Sequence, residues 1–189
     1  VWSEDQIIDY LKDNLKDARY EHSLSVRDTA VKLAEIYGAD IEKARIAGLS
    51  HDCAKNMSND DLLSIALSHN INVDNVYKEN PKLLHGFIGA VVAKEKMGIE
   101  DEEILSSIAY HTTGKRDMNL LEKIIYIADY VEPLRNFPGV DNLRKEVTYD
   151  LNKAMLMAFN NTIKYVIEKE QLLHVNTIEG RNYILYNSK

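Results

Sequence analysis

Apolar residues recur along this chain at the three- and four-residue spacing of a helix almost from end to end. No stretch alternates apolar and polar positions cleanly enough to require a strand. Ser3 followed by Gln6 reads as a capping box, with Ile7, Ile8, Leu11 and Leu15 as the stripe behind it. A second helix is predicted from about Arg19 to Tyr37, with Leu24, Ala30, Val31, Ala34 and Ile36 inward and Gly38 as its stop. A third starts after Asp40 as N-cap, carries Ile41, Ala44, Ile46, Ala47 and Leu49, and holds His51-Asp52 near its end. Ser58 caps a fourth that runs to about Ser68, and residues 72–78 are ambiguous. Pro81 suits the first turn of a helix that reaches Met97 and closes at Gly98. Residues 101–111 form a short helix that Thr112-Thr113-Gly114 ends. Leu120 to Val131 is apolar on nearly every side, as a central buried helix should be; Pro133 follows it, and residues 136–139 form a loop around Pro138. A long helix is predicted from Asp141 to about Leu173. Thr177 is placed as the cap of a last short helix, with an edge strand over residues 182–186 as the alternative. The expectation is an all-α chain forming one helical domain over residues 1–189, with its core at about 18–135 and the C-terminal helix and tail, 141–189, packed on it.

Composition narrows the class. A chain of 189 residues with 45% hydrophobic and 28% charged residues fits a globular domain. Cys53 is the one cysteine, so no intramolecular disulfide can form, and a reducing cytoplasm is expected. No apolar run approaches the ~20 residues that span a bilayer and no signal-peptide pattern is visible. The chain begins at Val1, so an initiator methionine or a short leader is expected before it. The net charge of −7, with no block of Lys and Arg long enough for a basic face, argues against a nucleic-acid partner. A small phosphate-bearing ligand needs only a few local cations and stays compatible with it. The 11 tyrosines beside 3 phenylalanines suit a nucleotide pocket, or, for most of them, half-buried helix surfaces.

The candidate chemistry begins at His51-Asp52. An imidazole next to a carboxylate can hold a cation through nitrogen and oxygen, and Asp52 can bridge two. Of the six histidines, His22, His51, His85, His111 and His174 can be given roles; His69 reads as a helix-end residue without chemistry. Asp129 lies in the apolar run of the central helix, where a carboxylate needs a partner or a metal. Separate helices that each bring nitrogen or oxygen ligands to one point build metal sites in helical proteins. Imidazoles and carboxylates without thiolate suit iron, manganese, zinc, nickel or cobalt rather than a structural zinc. Arg19, one turn before His22, and Lys55, one turn after His51-Asp52, can flank such a site, and Arg135 can reach in from the rim. Each of these has solvated surface charge as its alternative. Lys115-Arg116 reads as a solvated loop pair, Cys53 as a small buried hydrophobe, and the helix C-terminus expected near His174 favours a histidine there for dipole reasons alone.

The order His22, His51-Asp52, Asp129 resembles the signature of the HD-domain metal-dependent phosphohydrolases. Six longer blocks resemble its YqeK-like branch, the symmetrical bis(5'-nucleosyl)-tetraphosphatases: Arg19-Tyr20-Glu21-His22-Ser23, His51-Asp52-Cys53-Ala54-Lys55, Leu84-His85-Gly86, Tyr110-His111-Thr112-Thr113-Gly114, Ile127-Ala128-Asp129-Tyr130-Val131-Glu132-Pro133 and His174-Val175-Asn176-Thr177. They fall in the same order and cover nearly the whole chain. The resemblance implies an HD-domain bundle that cleaves diadenosine tetraphosphate into two ADP, with a metal-activated water as nucleophile. It implies one or two ions, usually iron, with manganese, cobalt, nickel or zinc compatible. His22, His51, Asp52 and Asp129 would hold the first, and His85 and His111 would complete a second position that Asp52 bridges. Asp52, Lys55 and Arg19 would carry catalysis. The nucleotide would be bound by Arg19, His22, Lys55, His85, His111, Thr112, Asp129, Arg135 and the run His174, Val175, Asn176 and Thr177. One ADP-like half would be gripped while the other projects outward. For oligomeric state, base rates alone point to a homodimer. The competing readings are a nucleotidase or phosphodiesterase on the same scaffold, a di-iron oxygenase, and a nucleotide-binding module without activity.

Overall fold

The computed structural model describes residues 1–188; among them are eleven α-helices, one 3₁₀ turn and no strand. Helix α1 (Glu4–Asn14) starts at the expected capping box, in which Ser3 and Gln6 exchange side-chain and backbone hydrogen bonds. Helix α2 (Asp17–Tyr37) ends at Gly38, whose φ of 70° is the left-handed stop. Helix α3 (Ile41–Ser50) lies so close against α2 that a Cβ on Gly48 would meet the Arg27 Cα at 3.0 Å. His51 and Asp52, expected inside α3 near its end, lie just beyond it. His51 is its C-cap, and Asp52 sits in the tight turn that follows.

Helix α4 (Asn59–Ser68) is capped by Ser58 and ends at His69. The ambiguous stretch contains a five-residue helix, α5 (Asn75–Glu79), because the Asp74 carboxylate accepts from the amides of Val76 and Tyr77. The single helix expected from Pro81 is two pieces, a 3₁₀ turn over Pro81–Leu84 and α6 (His85–Glu95), so His85 opens the α-helix. Helix α7 (Glu102–Tyr110) hands over to His111 as its C-cap. Helix α8 (Leu120–Val131) is the centre of the bundle. It begins at a capping box of Asn119 and Glu122 and packs on α2, α3, α7, α9 and α10, with Leu121, Ile124, Ile125, Ile127 and Ala128 buried.

The long helix expected over 141–173 is also two, α9 (Val140–Glu146) and α10 (Leu151–Glu168). Asp150 accepts from the Lys153 amide and starts the second as its N-cap. The final element is a helix throughout, α11 (Val175–Asn187), which removes the edge-strand alternative. Its N-cap is His174, whose Nδ1 accepts from the Asn176 amide, so neither Thr177 as cap nor a helix C-terminus at His174 describes this corner. Thr177 instead donates its hydroxyl to the Thr113 carbonyl at 2.9 Å, fastening α11 to the loop after α7. No described helix is long and apolar enough to cross a membrane.

Candidate metal centre

Four imidazoles and two carboxylates converge where α2, the turn after α3, the start of α6, the end of α7 and the last turn of α8 meet. Local backbone geometry aims the rings. His51 Nδ1 lies 2.7 Å from the Gly48 carbonyl, His85 Nδ1 2.5 Å from that of Lys82, and His111 Nδ1 2.7 Å from that of Ile108. A carbonyl only accepts, so each Nδ1 carries the proton and each Nε2 is turned inward. His22 uses the same device with a side chain, its Nδ1 lying 2.9 Å from Glu132 Oε1.

The inward atoms fall into two groups around Asp52. On its Oδ2 side, His51 Nε2 lies at 3.5 Å and His22 Nε2 at 3.8 Å, with Asp129 Oδ1 2.9 Å from His22 Nε2 and 3.9 Å from His51 Nε2. On its Oδ1 side, His85 Nε2 lies at 3.0 Å and His111 Nε2 at 3.4 Å, the two nitrogens being 3.0 Å apart. The sets His22, His51, Asp129 and His51, Asp52, His111 each have ligand atoms close enough to share one ion. Arg19 Nη1 donates to Asp52 Oδ2 at 2.9 Å. Lys55 Nζ donates to His85 Nε2 at 3.2 Å, and Arg135 grips Asp129 through both its carboxylate and its carbonyl.

The electrostatics favour ligand forms. Burial pushes the His51 pKa down to about 3 and lowers that of His85, so both rings stay neutral with bare Nε2 lone pairs. Burial works against ionised Asp52, but the imidazoles packed around it, His51 foremost and then His111 and His85, hold it well below the carboxylate range. Asp129 is likewise held down against burial by the His22 ring and the Arg135 charge. Burial lowers the Lys55 ammonium from its ordinary value and pushes the Cys53 thiol up to about 12, which leaves that thiol inert.

The donor set fits a cation. His22 Nε2, His51 Nε2 and Asp52 Oδ1 are buried without an aligned hydrogen-bond partner among the described residues. Orphaned acceptors of this kind, with two imidazole nitrogens facing each other at 3.0 Å, lack only a positive centre between them. Over the group lies a cleft of about 680 Å³ whose lining sets five cations, Lys16, Arg19, Lys55, Lys82 and Arg135, against two carboxylates, Glu21 and Glu132, beside His22. An acidic chain thus carries a net excess of cations at this mouth.

Comparison with known proteins locates the same region. The HD-domain family profile matches residues 19–134. The chain belongs to the HD-domain family. This HD-domain chain is 38% identical over 179 residues to a symmetrical bis(5'-nucleosyl)-tetraphosphatase of Halalkalibacterium halodurans, covering 95% of each chain. It is 39% identical over 178 residues to the Bacillus subtilis protein of the same name, covering 94% of this chain and 95% of that one. A crystal structure from Clostridium acetobutylicum, described as a predicted HD superfamily hydrolase involved in NAD metabolism, shares 55% identity, covers 99% of both chains and superposes with a TM-score of 0.96.

Not every residue singled out in the sequence enters this HD-domain cluster. His174 contacts Asp74, at 3.4 Å, and the Tyr77 ring rather than the grouped ligands; Val175 is exposed. Thr112 follows His111 with its hydroxyl buried and without a hydrogen-bond partner among the described residues. Lys115 is not a solvated loop residue: its ammonium lies 2.7 Å from buried Glu122 and over the Tyr110 ring. Two contributors had no role in the sequence reading. Glu132 is 1% exposed and orients His22; its place just past the end of α8, three residues after Asp129, was the available signal. Arg144 donates to the carbonyls of Val131, Glu132 and Arg135 at 2.7–2.9 Å and so fixes the segment that carries Glu132 and Arg135; nothing in its sequence context marks it.

Proposed function

We propose that this protein hydrolyses dinucleoside tetraphosphates symmetrically, taking diadenosine tetraphosphate and one water to two ADP. The single observation that carries the reading is Asp52 standing between two imidazole groups, with Arg19 and Lys55 on its flanks. The names of the relatives supply the substrate class. His22, His51, Asp52 and Asp129 would hold one ion, and His85 and His111, with Asp52, another; iron is our assignment, with manganese, cobalt, nickel or zinc as alternatives. A bound divalent ion polarises phosphoryl oxygens and lowers the pKa of water toward neutrality.

The remaining work falls to the chain. Arg19, with a guanidinium suited to paired contacts, and Lys55, a point charge, neutralise the attacked phosphoryl group. Lys55 lies next to His85, so a phosphate oxygen entering there meets both an ammonium and an imidazole. Arg135, 35% exposed, binds the incoming polyphosphate at the rim while steadying Asp129. Thr112 and the run His174, Val175, Asn176 and Thr177 are assigned to one nucleoside; the bond from Thr177 to Thr113 brings that run to the loop that follows His111. Residues 1–189 would act as one domain, in the cytoplasm, as a homodimer.

The test is product chromatography and elemental analysis. The parent should yield ADP alone from diadenosine tetraphosphate. Asp52→Ala should lose both metal and turnover, whereas Lys55→Ala should keep the metal and lose rate by about 100-fold or more. Parent-like activity in Asp52→Ala would end the catalytic reading, and AMP with ATP as products would exclude symmetric cleavage.

A further inference from the structure

A second cleft, of about 580 Å³, opens beside the cationic one, and Arg135 lines both. Asp129, a member of the metal cluster, is among its lining residues, so the cleft adjoins that cluster. One wall is the face of α10 presented by Asn161, Lys164, Tyr165 and Glu168, positions spaced i, i+3, i+4 and i+7. The other wall is the loop with Phe137 and Pro138, and Tyr130 from α8 lies beneath. The Phe137 and Tyr130 rings brace each other edge to face at 5.4 Å, whereas Tyr165 is 57% exposed. The volume is that of a small-molecule site.

We infer that this cleft takes the second nucleoside of the substrate, the half that departs with the far pair of phosphates. The chemistry matches a nucleoside part by part. Aromatic rings give a purine a stacking surface, and the Asn161 amide offers both a donor and an acceptor to its edge. The Glu168 carboxylate can accept from ribose hydroxyls, and Lys164 adds a cation along the phosphate path. Arg135 stands at the junction, where a chain of phosphates crossing from the cationic cleft must pass. The far half is thus held, rather than projecting outward. Such a cleft explains how the chain would prefer a dinucleoside to a mononucleoside polyphosphate, since remote contacts supply binding energy for the reacting centre.

The inference rests on the hydrolase reading, and its test separates the two. Metal-loaded full-length Tyr165→Ala and Asn161→Ala are assayed with diadenosine tetraphosphate and with adenosine 5'-tetraphosphate, which gives ADP and pyrophosphate. The kcat/KM ratio of the first substrate to the second should fall about tenfold in these variants. It should hold at the parent value in Tyr149→Ala, an 85%-exposed tyrosine outside the cleft. An unchanged ratio in both cleft variants, or equal losses on the two substrates, overturns the proposal. Calorimetry with a non-hydrolysable methylene-bridged diadenosine tetraphosphate needs no turnover. Tyr165→Ala should weaken that analogue about tenfold more than it weakens ADP. A parent that binds the analogue but cleaves neither substrate would refute the hydrolase reading and leave the cleft judged by this arm alone; equal weakening of analogue and ADP would refute the cleft.

Discussion

At the scale of single residues, the arrangement depends on what stands behind each ligand. Glu132 is the clearest case: it is buried, it accepts from His22 Nδ1, and its second oxygen accepts from the Leu134 amide. Removing its charge while keeping its shape should loosen the ring without emptying the space. Glu132→Gln is expected to weaken metal binding about tenfold, read by calorimetric titration of the metal-free protein. His69→Ala, which loses exposed contacts to Glu95, Ser68 and the Ile65 carbonyl and none to the cluster, should leave the titration unchanged. Such supporting residues are the part of the site that sequence reading passes over. His22, His51, Asp52 and Asp129 can be singled out because imidazoles and buried carboxylates are chemically conspicuous. Glu132 and Arg144 act through a neighbour, and the neighbour is visible only once the chain has folded. His174 shows the converse: it is conspicuous as a histidine, yet its local work is to cap a helix.

At the scale of elements, close approach sets the ligand spacing. A Cβ on Gly86 would lie 2.6 Å from the Ala109 carbonyl and 3.2 Å from that of Ile108, the same carbonyl that holds the His111 ring. Gly86→Ala must therefore push α6 from α7 and open the 3.0 Å gap between His85 and His111. The expected cost is about 1–3 kcal/mol of stability by urea unfolding. In metal titrations, an ion at the position proposed for His85 and His111 should be lost before one at His22, His51 and Asp129; equal loss at both positions would argue against this geometry. Most helices were legible because their apolar stripes and caps agree, α8 above all. The break between α9 and α10 was not, because Leu143, Val147, Leu151 and Ala154 continue a helical spacing straight through it. Periodicity reports a face and is blind to a change of axis that keeps the face buried. The Asp150 cap was the one local mark of the break.

At the scale of the whole molecule, stability and pH are tied through the buried rings. The unfolded chain takes up protons on histidine near the ordinary value of about 6.5, whereas folded His51 resists protonation down to about 3. Within that window the unfolded state binds more protons, so stability is full above about pH 6.5 and falls as pH drops. The slope is about 1.4 kcal/mol per pH unit for one such group, and His85, lowered for the same reason, adds to it. Urea midpoints of chelator-treated protein should decline steadily from neutrality to about pH 5; a flat profile would contradict neutral buried rings. At neutral pH, a divalent ion at 100 times its Kd should add about 2.7 kcal/mol.

The hydroxyl of Thr177 on the Thr113 carbonyl gives the tail a significance that its position late in the chain conceals. A stop codon after residue 173 would be no harmless trim. It would strip the side-chain anchor that Thr177 places on that carbonyl, two residues past His111, and uncover the Phe159 ring beneath Gly180. Such a shortened product should keep most of its helices and yet take up metal slackly, because the clasp that steadies the cluster comes from α11.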